Sequence, residues 1–247
     1  MERILIASGK GGVGKSTLAL CLAKALVKRK KRILLVDCDV GLRSLDLLTG
    51  LGTGAVYSWL DLLEGDCTLA DALLTDEAAG FSLLTAPNRL ETLPDGTAFS
   101  EMLSAAGAAF DFCILDAGAG LGELLPILAK AADTALLVAT PDAVSARAAA
   151  AAAEVLRASV PEENLRLVLN RYTYRDVRGG VVLSADEMID STELRLLGAV
   201  PEDMHLRALS RGDEPEAVSS AAFDRIASRL LGENVPFCEK KLKSVLL

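Results

Sequence analysis

Hydrophobic residues in this chain gather in short unbroken blocks instead of alternating with polar ones. Residues 3–8 (RILIAS) and 32–36 (RILLV) are such blocks, and residues 81–85, 112–115, 135–139, 165–169 and 196–200 repeat the pattern. Continuous apolar runs of this length are the mark of parallel strands covered on both faces. Between them lie segments of helical composition. Residues 16–30 carry Leu18, Leu20, Leu22, Ala23, Leu26 and Val27 at spacings that give a buried helical face. The nearly pure alanine stretch at 146–153, with Asp142 before it and Val155 and Leu156 after it, reads as a plain helix rather than a disordered tract. Strand–helix alternation implies βαβ units with right-handed crossovers. The expectation is an α/β fold: one domain over residues 1–237, a mostly parallel twisted sheet with helices on both faces, and a short tail at 238–247.

Composition narrows the picture. With 247 residues, 51% of them hydrophobic and only 4% aromatic, the core must be built from aliphatic side chains and alanine. A formal net charge of −8 argues against a surface that coats nucleic acid. The five cysteines, Cys21, Cys38, Cys67, Cys113 and Cys238, form no C-x-x-C pair; four lie in or beside apolar runs, which favours buried thiols of a reducing compartment over disulfides or a metal site. The opening MERILIASG is too short to be a secretory signal, and no apolar run reaches the length of a membrane span. A cytoplasmic protein is expected.

Residues 9–17, GKGGVGKST, fit G-x-x-x-x-G-K-[ST] and stand between an expected strand and an expected helix, which points to a P-loop NTPase domain. Gly9, Gly11, Gly12, Val13 and Gly14 supply a backbone that can turn successive N–H groups toward phosphate oxygens, and the helix start adds partial positive charge. Lys15 can reach the β and γ phosphates, the Ser16 hydroxyl can ligate Mg²⁺, and Thr17 is placed for the α phosphate. Lys10 is surplus to this cradle. Asp37 and Asp39 follow RILLV, and Asp116 ends FCILD before a glycine-rich turn. Carboxylates at strand ends beside a P-loop can hold the metal or orient a water.

The form KGGVGKST resembles the deviant Walker A loop of the MinD/ParA family of dimerising ATPases, and VDCDVGLRSLDLLTG resembles the first switch of its septum-site-determining MinD branch. The resemblance implies that Lys10 crosses a dimer interface to the partner's phosphates, that Asp39 positions the hydrolytic water, and that Ser16, Asp37 and Asp116 serve the metal site. It further implies that Asn170 and Arg171, with Pro201, Glu202 and Asp203 of GAVPED, hold the adenine base. Ser44 stands where the family usually has asparagine, Gly118 where the second switch usually has proline, and Ala148 where a partner-reading helix usually has an acid. The likeness runs from Ile4 to about Phe237. It implies a homodimer with bound ATP, Mg²⁺ as cofactor, and a protein activator or regulator.

The tail CEKKLKSVLL would, as a helix, set Leu242, Val245 and Leu246 together beside Lys240, Lys241 and Lys243. The MinD branch that the chain resembles holds the membrane through a C-terminal amphipathic helix, which implies for so small a face weak, reversible contact with an anionic membrane, strengthened when two tails act together; a frayed tail, or one packed on its own domain, is the alternative. A cytoplasmic protein peripheral on the inner face of the cell membrane follows. DNA partition, flagellar-number control and a nucleotide-binding scaffold with little turnover remain open on the same core. The acidic balance disfavours DNA, and none of the five cysteines is convincingly placed to face its counterpart across a dimer, as an iron–sulfur carrier would require. His205 reads as a surface residue at a helix start.

Overall fold

The computed structural model describes residues 1–238; the tail, apart from Cys238, lies outside the described residues. The strands are β1 (Glu2–Ala7), β2 (Ile33–Cys38), β3 (Leu73–Asp76), β4 (Phe81–Leu84), β5 (Phe112–Ala117), β6 (Thr134–Ala139), β7 (Leu165–Tyr172) and β8 (Arg195–Pro201). They form one eight-stranded sheet in the order β3-β4-β2-β5-β1-β6-β7-β8. Every pairing is parallel except β3 with β4. The α/β expectation is therefore met, and each expected strand is present within a few residues of its expected limits.

Helices connect the strands: α1 (Lys15–Val27), α2 (Ser44–Thr49), α3 (Trp59–Glu64), α4 (Leu69–Ala72), α5 (Gly96–Ala105), α6 (Leu124–Ala131), α7 (Ala143–Arg157), α8 (Tyr174–Arg178), α9 (Ala185–Thr192) and α10 (Ala217–Leu230). Helices α1 and α10 pack on each other, whereas α5, α6, α7 and α9 form a second row in which each touches the next. Both α1 and α6 contact β1 and β5, so the two rows sandwich the sheet. Burial on both faces explains the unbroken apolar runs: Ile33 to Cys38 and Phe112 to Ala117 are buried at every position. The alanine-rich segment is helix α7, with Asp142 as its N-cap accepting from the Ser145 N–H at 2.9 Å.

Strand β3 is the element that the sequence pattern does not announce. Its burial is only partial, and it pairs antiparallel at the sheet edge. An edge strand lies against one neighbour, so four residues suffice and no long apolar run marks it. Trp59 is fully buried; its Nε1 donates to the Asp37 carbonyl at 2.9 Å and its ring meets Phe99 edge-on at 5.4 Å. This tryptophan fixes the carboxyl end of β2, where the chemistry begins.

Candidate nucleotide and magnesium site

The connections after β1, β2, β5, β7 and β8 come together at one edge of the sheet, where ligands bind in parallel α/β sheets. The loop after β1 turns through two glycines in left-handed conformation, Gly12 (φ 74°) and Gly14 (φ 97°), the latter being the N-cap of α1. Buried Val13 pins the loop to the core while Lys10, Gly11 and Gly12 are exposed. The Ser8 hydroxyl donates to the Lys10 carbonyl at 2.8 Å. The Gly120 N–H donates to the Ser8 carbonyl at 3.1 Å, tying the turn after β5 to the end of β1. Gly9 lies so close to α7 that a Cβ there would stand 1.9 Å from the Ala148 carbonyl oxygen. Lys15, Ser16 and Thr17 begin α1, so the free N–H groups of its first turn open toward the loop.

Two carboxylates share a rung of the sheet, since Asp37 pairs with Asp116 in the β2–β5 register. Both are fully buried. Asp37 spends its oxygens on backbone: Oδ1 accepts from the Asp39 N–H at 2.9 Å and Oδ2 from the Leu45 N–H at 2.8 Å. Burial raises its pKa to about 6, against the pull of those two N–H groups. Neither oxygen of Asp116 makes a well-formed hydrogen bond within the protein, although the Ser16 hydroxyl stands close enough to act on it. Burial pushes Asp116 up to about 8; the Ser16 hydroxyl and the Lys15 charge pull it down, and Asp37 and Asp39 push it further up. An orphaned buried carboxylate, facing a second one and beside a serine and a lysine, is a place that a cation would stabilise strongly. Mg²⁺, which favours oxygen ligands and keeps much of its water, fits this donor set.

Lys10 reaches sideways. Its Nζ lies 3.7 Å from Asp142 Oδ1 at the start of α7. Against the cost of burial, hydrogen bonds from Thr140 and Ser145 and the charge of Lys10 hold Asp142 below the usual carboxylate range.

The residues expected around the base do converge. Asn170, Arg171, Pro201, Glu202 and Asp203 line a cavity of about 170 Å³ together with Gly14 and Thr17. Within it the structure gives each a more definite place. The Asn170 amide donates to the Val13 carbonyl at 2.7 Å, and a Cβ at Gly14 would meet that amide nitrogen at 2.2 Å. Asn170 thus braces the phosphate loop as well as facing the cavity. Buried Asp203 accepts from the His205 and Glu216 N–H groups at 2.9 and 2.8 Å, which makes it a loop-holding residue. Glu202 pairs with Arg207 at 2.5 Å and with Arg171 at 3.9 Å. Leu48, Leu206 and Arg207 also line the cavity and were not foreseen; they come from α2 and from the loop after β8, and nothing in their local sequence sets them apart from ordinary core or surface residues. A larger groove of about 400 Å³, lined by Leu62, Leu69 and Met102 between α3 and α5, has neither glycine loop nor paired carboxylates. The chemistry stays at the strand ends.

A family model for the CobQ/CobB/MinD/ParA nucleotide binding domain matches residues 4–215. The septum site-determining protein MinD of Helicobacter pylori is 34% identical over 252 residues, covering 97% of this chain and 94% of that protein. Its Bacillus subtilis counterpart is 35% identical over 245 residues, covering 95% and 91%. Among solved structures, the MinC:MinD cell division protein complex of Aquifex aeolicus gives a TM-score of 0.87 at 32% identity, covering 96% of this chain and 98% of that one. MinD of Pyrococcus horikoshii, complexed with Mg-ADP, gives 0.79 at 25% identity, covering 93% and 95%. A likeness this long, laid over a glycine loop and a buried aspartate pair at the same sheet edge, settles the affiliation: the chain belongs to the CobQ/CobB/MinD/ParA family of nucleotide-binding proteins.

Proposed function

We propose that this chain is a MinD-like ATPase that dimerises on ATP, hydrolyses it to ADP and phosphate, and thereby switches membrane attachment and partner binding in placing the division site. The observation that carries the reading is the fully buried Asp116 carboxylate, without a well-formed hydrogen bond and beside Ser16 and Lys15. A folded protein keeps such a group where a ligand completes it.

The division of labour follows from position. Lys15 and the N–H groups of the first turn of α1 bind and neutralise phosphate oxygens. Ser16, Asp37 and Asp116 are the residues to hold Mg²⁺, which when bound supplies further neutralisation of the phosphates. Asp39, one residue beyond β2, orients the attacking water toward the γ phosphorus. Water oxygen bonds there as the bond to the bridging oxygen of ADP breaks. Lys10 serves the partner protomer's phosphates once its ion pair with Asp142 opens. Catalysis of this kind is positioning and charge neutralisation, so turnover is slow until a regulator fixes the geometry. The solved complex of the Aquifex protein with MinC makes a protein regulator the kind of partner we assign.

No helix among the described residues is long and apolar enough to cross a membrane. Attachment to an anionic inner membrane surface is assigned to residues 238–247. One observation favours a second reading, a scaffold with little turnover: Gly118 leaves the second switch without its usual proline, and so freer to move. Co-sedimentation with anionic vesicles and, in parallel, with duplex DNA, each with ATP and with ADP, tests the proposal alongside phosphate release. ATP-dependent pelleting with vesicles and steady phosphate release support it. ATP-dependent pelleting with DNA alone, or no release, overturns it.

A further inference from the structure

The β2–β5 register sets Asp37 against Asp116 and Cys38 against Ala117. One residue beyond, where both strands end, Asp39 stands against Gly118. Side chains two apart share a face of a strand, so this second rung continues the first, with a carboxylate on one strand and no side chain on the other. A Cβ at Gly118 would lie 3.2 Å from Asp39 Oδ1, 3.9 Å from its Cα and 4.0 Å from its Cγ. The Asp39 carboxylate therefore leans into the place that a residue 118 side chain would take. From the opposite side the Ser44 hydroxyl, at the first turn of α2, donates to Asp39 Oδ2 at 3.4 Å. One oxygen rests against the bare Gly118 backbone and the other is held by Ser44.

Backbone conformation does not require glycine here, because Gly118 is not among the residues with positive φ. Its neighbour does. Gly118 and Ser44 are also positions at which the sequence carries a smaller residue than its family usually does, and both touch the same carboxylate.

We propose that Gly118 and Ser44 are a pair of positioning residues that together seat the Asp39 carboxylate for water orientation. The proposal rests on the hydrolytic reading of Asp39 given above. A methyl group at 118 drives Oδ1 outward by some tenths of an ångström while leaving the phosphate loop and base cavity untouched. Misplacement of a reacting group by ~1 Å costs on the order of a hundredfold in rate. A shift of part of that distance should cost about tenfold in kcat with KM for ATP unchanged. Removing the Ser44 hydroxyl frees the other oxygen and should cost a few-fold.

The test is steady-state hydrolysis by the full-length chain as wild type, Gly118→Ala, Ser44→Ala, Ser44→Thr and Asp39→Ala, with the Gly118→Ala/Asp39→Ala double variant. Calorimetric ATP affinity and thermal melting of each are measured alongside. The expected result is a fall in kcat for Gly118→Ala and Ser44→Ala at unchanged KM, recovery in Ser44→Thr, and no further loss when Gly118→Ala is added to Asp39→Ala. Equal kcat in wild type and Gly118→Ala, or the same loss with and without the Asp39 carboxylate, overturns the seating and leaves the hydrolytic reading standing. Equal rates in wild type and Asp39→Ala, a wild type without turnover included, overturn both.

Discussion

Lys10 and Asp142 are ion-paired within one protomer, Nζ to Oδ1 at 3.7 Å, with both side chains nearly half exposed. A pair so wet contributes about 1 kcal/mol or less. It holds the lysine in place without binding it tightly, which suits the proposed role of leaving for a partner's phosphates. Lys10→Ala should therefore melt within about 2 °C of wild type and still bind ATP, yet remain monomeric with ATP in sedimentation velocity. A dimer formed by this variant would remove the trans role of Lys10.

Lys15 faces the opposite requirement, since it is 7% exposed and the proposal has it bind phosphate within its own chain. Losing one or two charge-assisted hydrogen bonds of ~1.5–3 kcal/mol each should weaken ATP binding by at least about tenfold. Titration calorimetry of Lys15→Ala checks this; unchanged affinity contradicts the loop assignment.

Asp39→Ala should keep ATP affinity, lose turnover by about a hundredfold or more, and accumulate as ATP-bound dimer on a sizing column. A variant that stays monomeric with ATP, under conditions where wild type dimerises, would show that Asp39 serves assembly and not the water.

The buried pair gives a pH signature. Burial raises Asp116 from 3.8 to about 8, with Asp37 raised to about 6. A carboxyl whose folded pKa exceeds its unfolded value favours the folded state fully below about pH 4. That contribution is lost as pH rises toward 8, because the unfolded chain ionises first. Asp116→Asn removes the penalty. Without nucleotide or metal its melting temperature should exceed wild type by about 5 °C or more at pH 8, and the gap should close toward pH 4. A gap independent of pH would mean that Asp116 is not titrating as its burial demands.

Residues 238–247 carry the remaining expectation. Their removal should abolish ATP-dependent pelleting with anionic vesicles while leaving hydrolysis in solution intact. Equal pelleting of the full-length and shortened proteins would place the membrane contact elsewhere.

The loop from Gly9 to Thr17 could be read from the sequence because its chemistry is local: glycine spacing, a lysine and a hydroxyl within nine residues. The strands could be read because burial on both faces leaves unbroken apolar runs. Relations between distant segments could not. The bond from Asn170 to the Val13 carbonyl spans 157 residues and depends on β7 lying one strand beyond β6, which pairs with β1. Lys10 looked surplus because Asp142, its partner, is brought near only when β6 pairs with β1. Leu48 and Arg207 line the cavity beside the glycine loop as ordinary residues of α2 and of the β8–α10 loop, and only the folded chain sets them there. Asp203 lines that cavity, yet both its oxygens hold the loop's backbone, a distinction that composition cannot express.

The contact between Gly9 and the Ala148 carbonyl gives the alanine run of α7 a meaning beyond helix propensity. Ala146, Ala149, Ala152 and Ala153 are buried, and their single methyl groups set how near the helix axis can come to the sheet. The run behaves as a spacer of fixed thickness. Thicken it, with leucine at 149 or 152, and the helix is lifted off the phosphate loop along its whole seam. Residues that never touch nucleotide would then govern how firmly it is held, and α7 becomes the natural place to tune this protein without altering its catalytic groups.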